Sequence, residues 1–274
     1  MARLSESTGL ISMGTANPFI SLEQSQFARA AQNRIFPATR PQIPGLDYYS
    51  DWRAATCAGG DYLDYFDLDG GNFGLAIGDV SAGALESALL TTSLHSIVRA
   101  LRFSHTASLA EFVASVDELF REVCPDECYA TLFVGRYDPI LGRLHYVNAG
   151  HEPPLVLRKS GAHYRNLRLE TGGPLLGMLR KSRYREGVVS LRPGDLLVAY
   201  TDGLCEVKNA RGEEWGWRRF VDSLTGGPTR RAREVVSRVF EAQGQFTPFD
   251  KGAAANPVQF IYRRFFFPAI CQSI

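Results

Sequence analysis

Three aspartates stand in glycine-bearing motifs along this 274-residue chain: Gly59-Gly60-Asp61, Gly78-Asp79-Val80-Ser81 and Tyr200-Thr201-Asp202-Gly203. Each lies at or near the end of a β-like run, beside a glycine that lets backbone approach a ligand closely. Hard divalent cations take several carboxylate oxygens converging on one point, and such ions activate water against phosphate esters. The pattern therefore suggests a metal-dependent phosphate-ester hydrolase. A lone Gly-Asp more often caps a turn or the following helix. Three such motifs at strand ends shift the balance toward a site.

The elements that must position these residues are readable. Segments 61–68 and 73–80 read as strands flanking Asp69-Gly70-Gly71-Asn72, a strong hairpin signal. Asp61 opens one arm and Asp79 closes the other, so the hairpin sets the two carboxylates side by side. Two unpaired carboxylates this close repel, and a divalent ion removes that cost. The almost wholly apolar run 73–77 suits a buried central strand. Apolar residues at threes and fours predict helices over 85–101 and 109–123, the second opened by a Ser108…Glu111 capping box. Further strands are expected near 129–137, 143–148, 155–158, 163–169, 185–191 and 195–201, with a last amphipathic helix over 230–242. A short helix over 21–35, with Ser21 as cap, ends before Pro37, Pro41 and Pro44. Strands and helices come in blocks, which makes the class α+β with a mainly antiparallel sheet.

Bulk composition narrows the partners. Thirty basic residues against 29 acidic ones give a net charge of +1, so nothing points to nucleic acid or a membrane surface. The five cysteines (Cys57, Cys124, Cys128, Cys205, Cys271) are an odd, scattered set. Cys124 and Cys128 lack a second Cys or His pair nearby, which argues against zinc and for a reduced, cytoplasmic setting. Cys57 and Cys205, beside two of the Asp motifs, are minor candidates for soft metals. There is no signal-peptide pattern at the N-terminus, and the apolar stretch 265–270 is far shorter than the ~20 residues of a membrane span.

Longer motifs carry a specific resemblance. Ala58-Gly59-Gly60-Asp61-Tyr62-Leu63-Asp64-Tyr65-Phe66, Leu75-Ala76-Ile77-Gly78-Asp79-Val80-Ser81, Tyr146-Val147-Asn148-Ala149-Gly150-His151-Glu152-Pro153-Pro154 and 193–203 (through Tyr200-Thr201-Asp202-Gly203, with Glu206 following) occur in order. Together they resemble the SpoIIE/RsbU-type branch of the metal-dependent (PPM, 2C-type) Ser/Thr protein phosphatases, over roughly 34–224. The resemblance implies an α/β/β/α sandwich of two antiparallel sheets flanked by helices. It implies two Mn²⁺ or Mg²⁺ ions, with Asp79 bridging them, Asp61 and the Val80 carbonyl on one, and Asp202 on the other. Water activated by the ions would attack phosphorus on a phosphoserine or phosphothreonine, with no covalent phosphoenzyme. The substrate implied is a phosphorylated regulatory protein of the anti-anti-sigma kind. Relatives also imply a homodimer through the N-terminal helix.

The chain departs from the family pattern in three places. Ser81-Ala82-Gly83-Ala84 replaces Ser-Gly-Lys/His-Gly, and Glu152 stands where Asn is usual, read here as a surface-level change. The third departure is larger. The family's C-terminal Asp-Asp metal motif is missing, and after Glu241 the only acid is Asp250. Weak binding at the Asp202 metal and a poorly formed final strand, interrupted by Arg263 and Arg264, are the expectations. The alternative function is thus a catalytically weak relative that binds a phosphoprotein or partner. The resulting division is a mobile tail (1–20), a helix and Pro-rich linker (21–45), the phosphatase domain (46–255) and a divergent end (256–274). His151 reads as structural within its Gly-His-Glu-Pro-Pro turn. His95 and His105 read as surface residues, and Trp215 and Trp217 as packing under a loop or the lining of a substrate groove.

Overall fold

Side-chain alternation in the first hairpin decides the architecture. In β2 (Asp61–Leu68), Leu63 and Tyr65 join one buried cluster while Tyr62 and Phe66 join another. In β3 (Asn72–Ser81), Phe73, Leu75 and Ile77 side with the first cluster, Ala76 and Val80 with the second. Strands apolar on both faces must be covered on both, which requires layers above and below the sheet.

The computed structural model describes residues 30–37, 42–53, 59–82, 84–102, 108–161, 163–227, 231–247 and 258–265, the last stretch by its backbone only. One sheet runs β2-β3-β4-β5-β8, with β9 also on β5. Here β4 is Tyr129–Asp138, β5 Arg143–Ala149, β8 Gly172–Gly173 and β9 Gly187–Ser190. The other runs β1-β11-β10-β6-β7, from Leu46–Arg53, Val258–Phe265, Leu196–Tyr200, Leu155–Ser160 and His163–Arg168. Pairing is antiparallel except between β5 and β8.

The first cluster lies between the sheets, where Leu75, Ile77 and Phe133 meet Val156, Leu197 and Ala199. Helices α1 (Ala84–Leu101) and α2 (Leu109–Val123) cover the outer face of the first sheet through Leu94, Val98, Val113 and Phe120. Helices α3 (Gly216–Thr225) and α4 (Ala232–Phe246) cover the second through Phe220, Val235 and Val239. The result is the expected α/β/β/α sandwich. As anticipated, the Ser108 side chain caps α2, accepting from the Glu111 amide at 3.2 Å.

Three readings need correcting: the missed helix α3, His95 and the last strand. Helix α3 was not foreseen: its polar face is broad, and only Phe220, Ser223 and Leu224 are buried on it. Trp215, just before it, is a core residue, whereas Trp217 is 39% exposed. His95 is not a surface residue. It lies 3.9 Å from the fully buried Asp64, which Arg99 engages through two nitrogens, and burial lowers its basicity. Finally, the last strand does form. β11 sits between β1 and β10, pairing Leu46–Arg53 on one side and Leu196–Tyr200 on the other. Backbone hydrogen bonding on both edges places it whatever its side chains prefer.

The expected helix over 21–35 lies mostly outside the described residues, which record helix at 30–32. His105, Cys57, Asp250 and the tail 1–20 also lie outside them. Among the described residues no helix is long and apolar enough to cross a membrane.

Candidate metal centre

Asp61 and Asp79 are direct cross-strand partners at the open end of the β2–β3 ladder. Both have the parity of Leu63 and Ile77, so both carboxylates stand between the sheets rather than under α1. On the opposing sheet, Leu197 and Ala199 face inward, and Thr201 follows with the same parity. The chain then turns through a 3-10 segment, Asp202–Leu204, whose first residue is Asp202. Strands from both sheets therefore end at one edge of the sandwich, and each delivers acid there.

The electrostatics record this crowding. Burial, then the Asp79 charge, raise Asp61 well above the usual carboxylate range, with Thr201 opposing; Asp61 is only 8% exposed. Burial and the Asp202 charge push Asp79 up to about 6. Gly60 makes the close approach possible. A Cβ there would collide with the Val80 carbonyl oxygen and stand 2.7 Å from Asp79 Oδ1. The Val80 amide also donates to the Gly60 carbonyl at 3.0 Å, so β3 is laced to the first motif at this point.

A second tier of residues holds the first. Thr131, opposite Asp79 in the β3–β4 register, accepts from the Asp79 amide at 3.1 Å and is hydrogen-bonded to His151 Nδ1 at 2.9 Å. His151 is held by Asn148, whose Oδ1 accepts from the His151 amide at 2.7 Å. The Asn148 Nδ2 donates to the His151 and Leu169 carbonyls at 3.0 and 3.1 Å. Gly150, at φ +68°, supplies the left-handed residue this turn needs. Burial pushes the His151 imidazole down to about 4, the Tyr200 carbonyl pulling weakly the other way. The ring is therefore neutral at pH 7 and ties the turn to Thr131.

A cavity of about 160 Å³ opens over this edge, lined by Asp79, Thr131, Gly150, His151, Glu152, Thr201 and Asp202. Glu152 is thus part of the cavity wall and not a surface-level change. It accepts from the Tyr200 hydroxyl at 3.0 Å and pairs with Arg168 at 3.3 Å. Arg168 in turn lies over the Trp217 ring, 5.7 Å from its centroid. Cys205 is a poor ligand: burial, then Glu152, Asp202 and Glu206, push its thiol up to about 12.

The residues suit a divalent cation in chemistry and place: oxygen donors only, mutual repulsion, and a glycine that leaves room for the Val80 carbonyl. Convergence is incomplete. Among the described residues no three His, Cys, Asp or Glu side chains already form a ligand set. Asp202 is exposed, and its Oδ1 accepts from the adjacent Gly203 amide at 2.8 Å. The carboxylate's other lone pairs stay available to a cation.

This two-sheet sandwich has the PP2C-type phosphatase fold. A Pseudomonas aeruginosa structure, the SiaA-PP2C domain, superposes with a TM-score of 0.72 at 18% identity, covering 89% of this chain and 96% of that one. The RsbU and RsbW domains of a Mycobacterium tuberculosis protein give 0.64 at 27% identity, covering 82% and 62%. The model of the family described as Stage II sporulation protein E (SpoIIE) matches residues 69–254, more than half of the chain, and the chain belongs to that family. Protein IcfG of Synechocystis is 26% identical over 223 residues, covering 72% of this chain and 35% of its own. Phosphoserine phosphatase RsbP of Bacillus subtilis is 28% identical over 173 residues, covering 62% and 41%. The chain spans roughly a third to two fifths of these two relatives.

Proposed function

We propose that this chain is a metal-dependent phosphoprotein phosphatase that removes phosphate from phosphoserine or phosphothreonine on a regulatory protein. The observation that carries the reading is the register of Asp61 opposite Asp79 on the inner face, with Asp202 close enough to act on both electrostatically. Relatives named phosphoserine phosphatases support the chemistry. Asp79 would lie between two Mn²⁺ or Mg²⁺ ions, Asp61 and the Val80 carbonyl would hold one, and Asp202 the other. Such ions, when bound, supply an acidified water and offset the negative charge of the phosphoryl group.

The chain's own groups have defined tasks. Thr131 and His151 fix the backbone of Asp79 so that its carboxylate stays at the strand end. His151, neutral at pH 7, is not the imidazolium that would serve as a general acid. Glu152 is held by Tyr200 and Arg168 at the cavity wall, where its negative charge bears on an incoming phosphoryl group.

One observation favours a second reading, a weak or inactive relative that binds a phosphoprotein. Strand β11, Val258–Phe265, contains no acidic residue, and Asp250 lies outside the described residues. The two readings separate in one assay, hydrolysis of a phosphoserine peptide with Mn²⁺ titrated from micromolar to millimolar and Asp79→Asn as control. Turnover that requires millimolar Mn²⁺ and vanishes in the variant supports the phosphatase with one weakened site. Folded protein without turnover at any Mn²⁺ supports the binding relative.

A further inference from the structure

The backbone just before Asp61 is gripped from outside the sandwich by a residue that no motif picked out. Gln32 belongs to the short helical segment at 30–32 and is 6% exposed. Its side-chain amide pairs with the Gly59 peptide in both directions: Oε1 accepts from the Gly59 amide at 2.8 Å, and Nε2 donates to the Gly59 carbonyl. A primary amide matched to both groups of one residue fixes position and orientation together, as a single contact cannot.

The next residue is held as firmly. The Thr91 hydroxyl of α1 lies 2.8 Å from the Gly60 carbonyl and 2.7 Å from the Ser87 carbonyl, and it is fully buried. The Gly60 carbonyl also receives the Val80 amide from β3. Two consecutive glycines have no side chains of their own to pack, so their conformation depends on such outside contacts. Gln32 is anchored in turn: the Ile35 amide donates to the Gln32 carbonyl at 3.0 Å, and Phe36 is buried in the cluster between the sheets.

We infer that Gln32 is a positioning residue for the candidate metal centre, which sets the Gly59-Gly60 backbone and through it the aim of the Asp61 carboxylate. The inference rests on the metal-dependent phosphatase reading. Partners that orient a ligand without touching the ion commonly change metal affinity 10–100-fold when removed.

The test uses the full chain and the variants Gln32→Met, Gln32→Glu and Thr91→Val, with Asn33→Ala, an exposed neighbour on the same segment, as control. Methionine keeps the length and loses both hydrogen bonds. Glutamate keeps the acceptor for the Gly59 amide but sets a carboxylate against its carbonyl. In the metal-free protein, hydrogen exchange is measured across 59–66. Mn²⁺ binding is then titrated separately from thermal stability.

The expected result is at least about tenfold faster exchange at Gly59 and Asp61, and about tenfold or greater weakening of Mn²⁺ in Gln32→Met. Thermal stability of the metal-free protein should stay near that of Asn33→Ala. Gln32→Glu should lie between, which also covers the case in which methionine prevents folding. Faster exchange with unchanged Mn²⁺ affinity would mean a merely structural contact and overturn the inference. Unchanged exchange would overturn it as well. Wild-type protein that binds no Mn²⁺ would instead remove the metal reading on which it rests, and the exchange data would then stand as a record of the backbone grip alone.

Discussion

The Thr131 hydroxyl stands 3.1 Å from the Asp79 amide and 2.9 Å from His151 Nδ1, linking the second acidic motif to the Gly-His-Glu-Pro-Pro turn through one side chain. Where Thr131 accepts from the amide and donates to the imidazole, His151 is neutral, the state that its burial favours. Protonating the ring removes the acceptor at Nδ1.

That preference gives a pH dependence with a defined sign. Unfolded His151 takes a proton near its ordinary value of 6.5, whereas the folded chain resists until about 4. Between those values the unfolded state binds more protons, so this residue's contribution to stability falls as pH drops from 6.5 toward 4 and changes no further below. The loss amounts to about 3 kcal/mol. Urea unfolding of metal-free wild type and His151→Gln at pH 7 and pH 4.5 isolates it. The wild type should lose more stability than the variant, and equal losses would contradict the buried neutral ring.

Asp79→Asn should act in opposite directions on two measurements. Burial and the Asp202 charge oppose the ionised Asp79 carboxylate, and its charge in turn opposes Asp61. Removing the charge should raise the Tm of the metal-free protein by roughly 2–4 °C. It should also abolish both Mn²⁺-dependent stabilisation and turnover. A lower Tm without metal would show that Asp79 is held by favourable contacts and not poised for a cation.

Gly60→Ala tests the close approach. Its Cβ would meet the Val80 carbonyl, a backbone atom that cannot rotate away, as well as Asp79 Oδ1. Separation of β2 from β3 at this end should cost about 1–3 kcal/mol and lower Mn²⁺ affinity at least about tenfold. Wild-type behaviour in chemical denaturation and metal titration would mean that the strand ends have slack.

Asp64 offers a stability prediction away from the centre. It is fully buried, accepts from the Tyr65 amide at 2.8 Å and is engaged twice by Arg99 of α1. Asp64→Ala removes both contacts to the half-buried Arg99 and the acceptor of the Tyr65 amide, and should cost about 1.5–3 kcal/mol. Because α1 also carries Thr91, exchange protection at 59–61 should fall with it. An effect below about 1 kcal/mol in equilibrium unfolding would show that Arg99 reaches water instead.

Much of the architecture follows from local pattern. The Asp69–Asn72 turn and the apolar alternation beside it determine that Asp61 and Asp79 pair, because a hairpin's register is set by its turn. The periods of α1, α2 and α4 are equally local. Helix α3 escaped because its buried residues are few and its exposed face carries Arg218 and Arg219. Glu152 and Thr131 were invisible as site residues because nothing in their neighbours' identities says which way a strand end points.

The sequence by itself determined the two-faced strands, the family motifs and the chemical character of three acids. Only the tertiary structure decided that both sheets end at one edge, that Gln32 returns to grip Gly59, and that β11 closes between β1 and β10. The physical reason is distance along the chain. Turns and periodicities are governed by neighbours, whereas these contacts join segments whose meeting depends on how the layers stack.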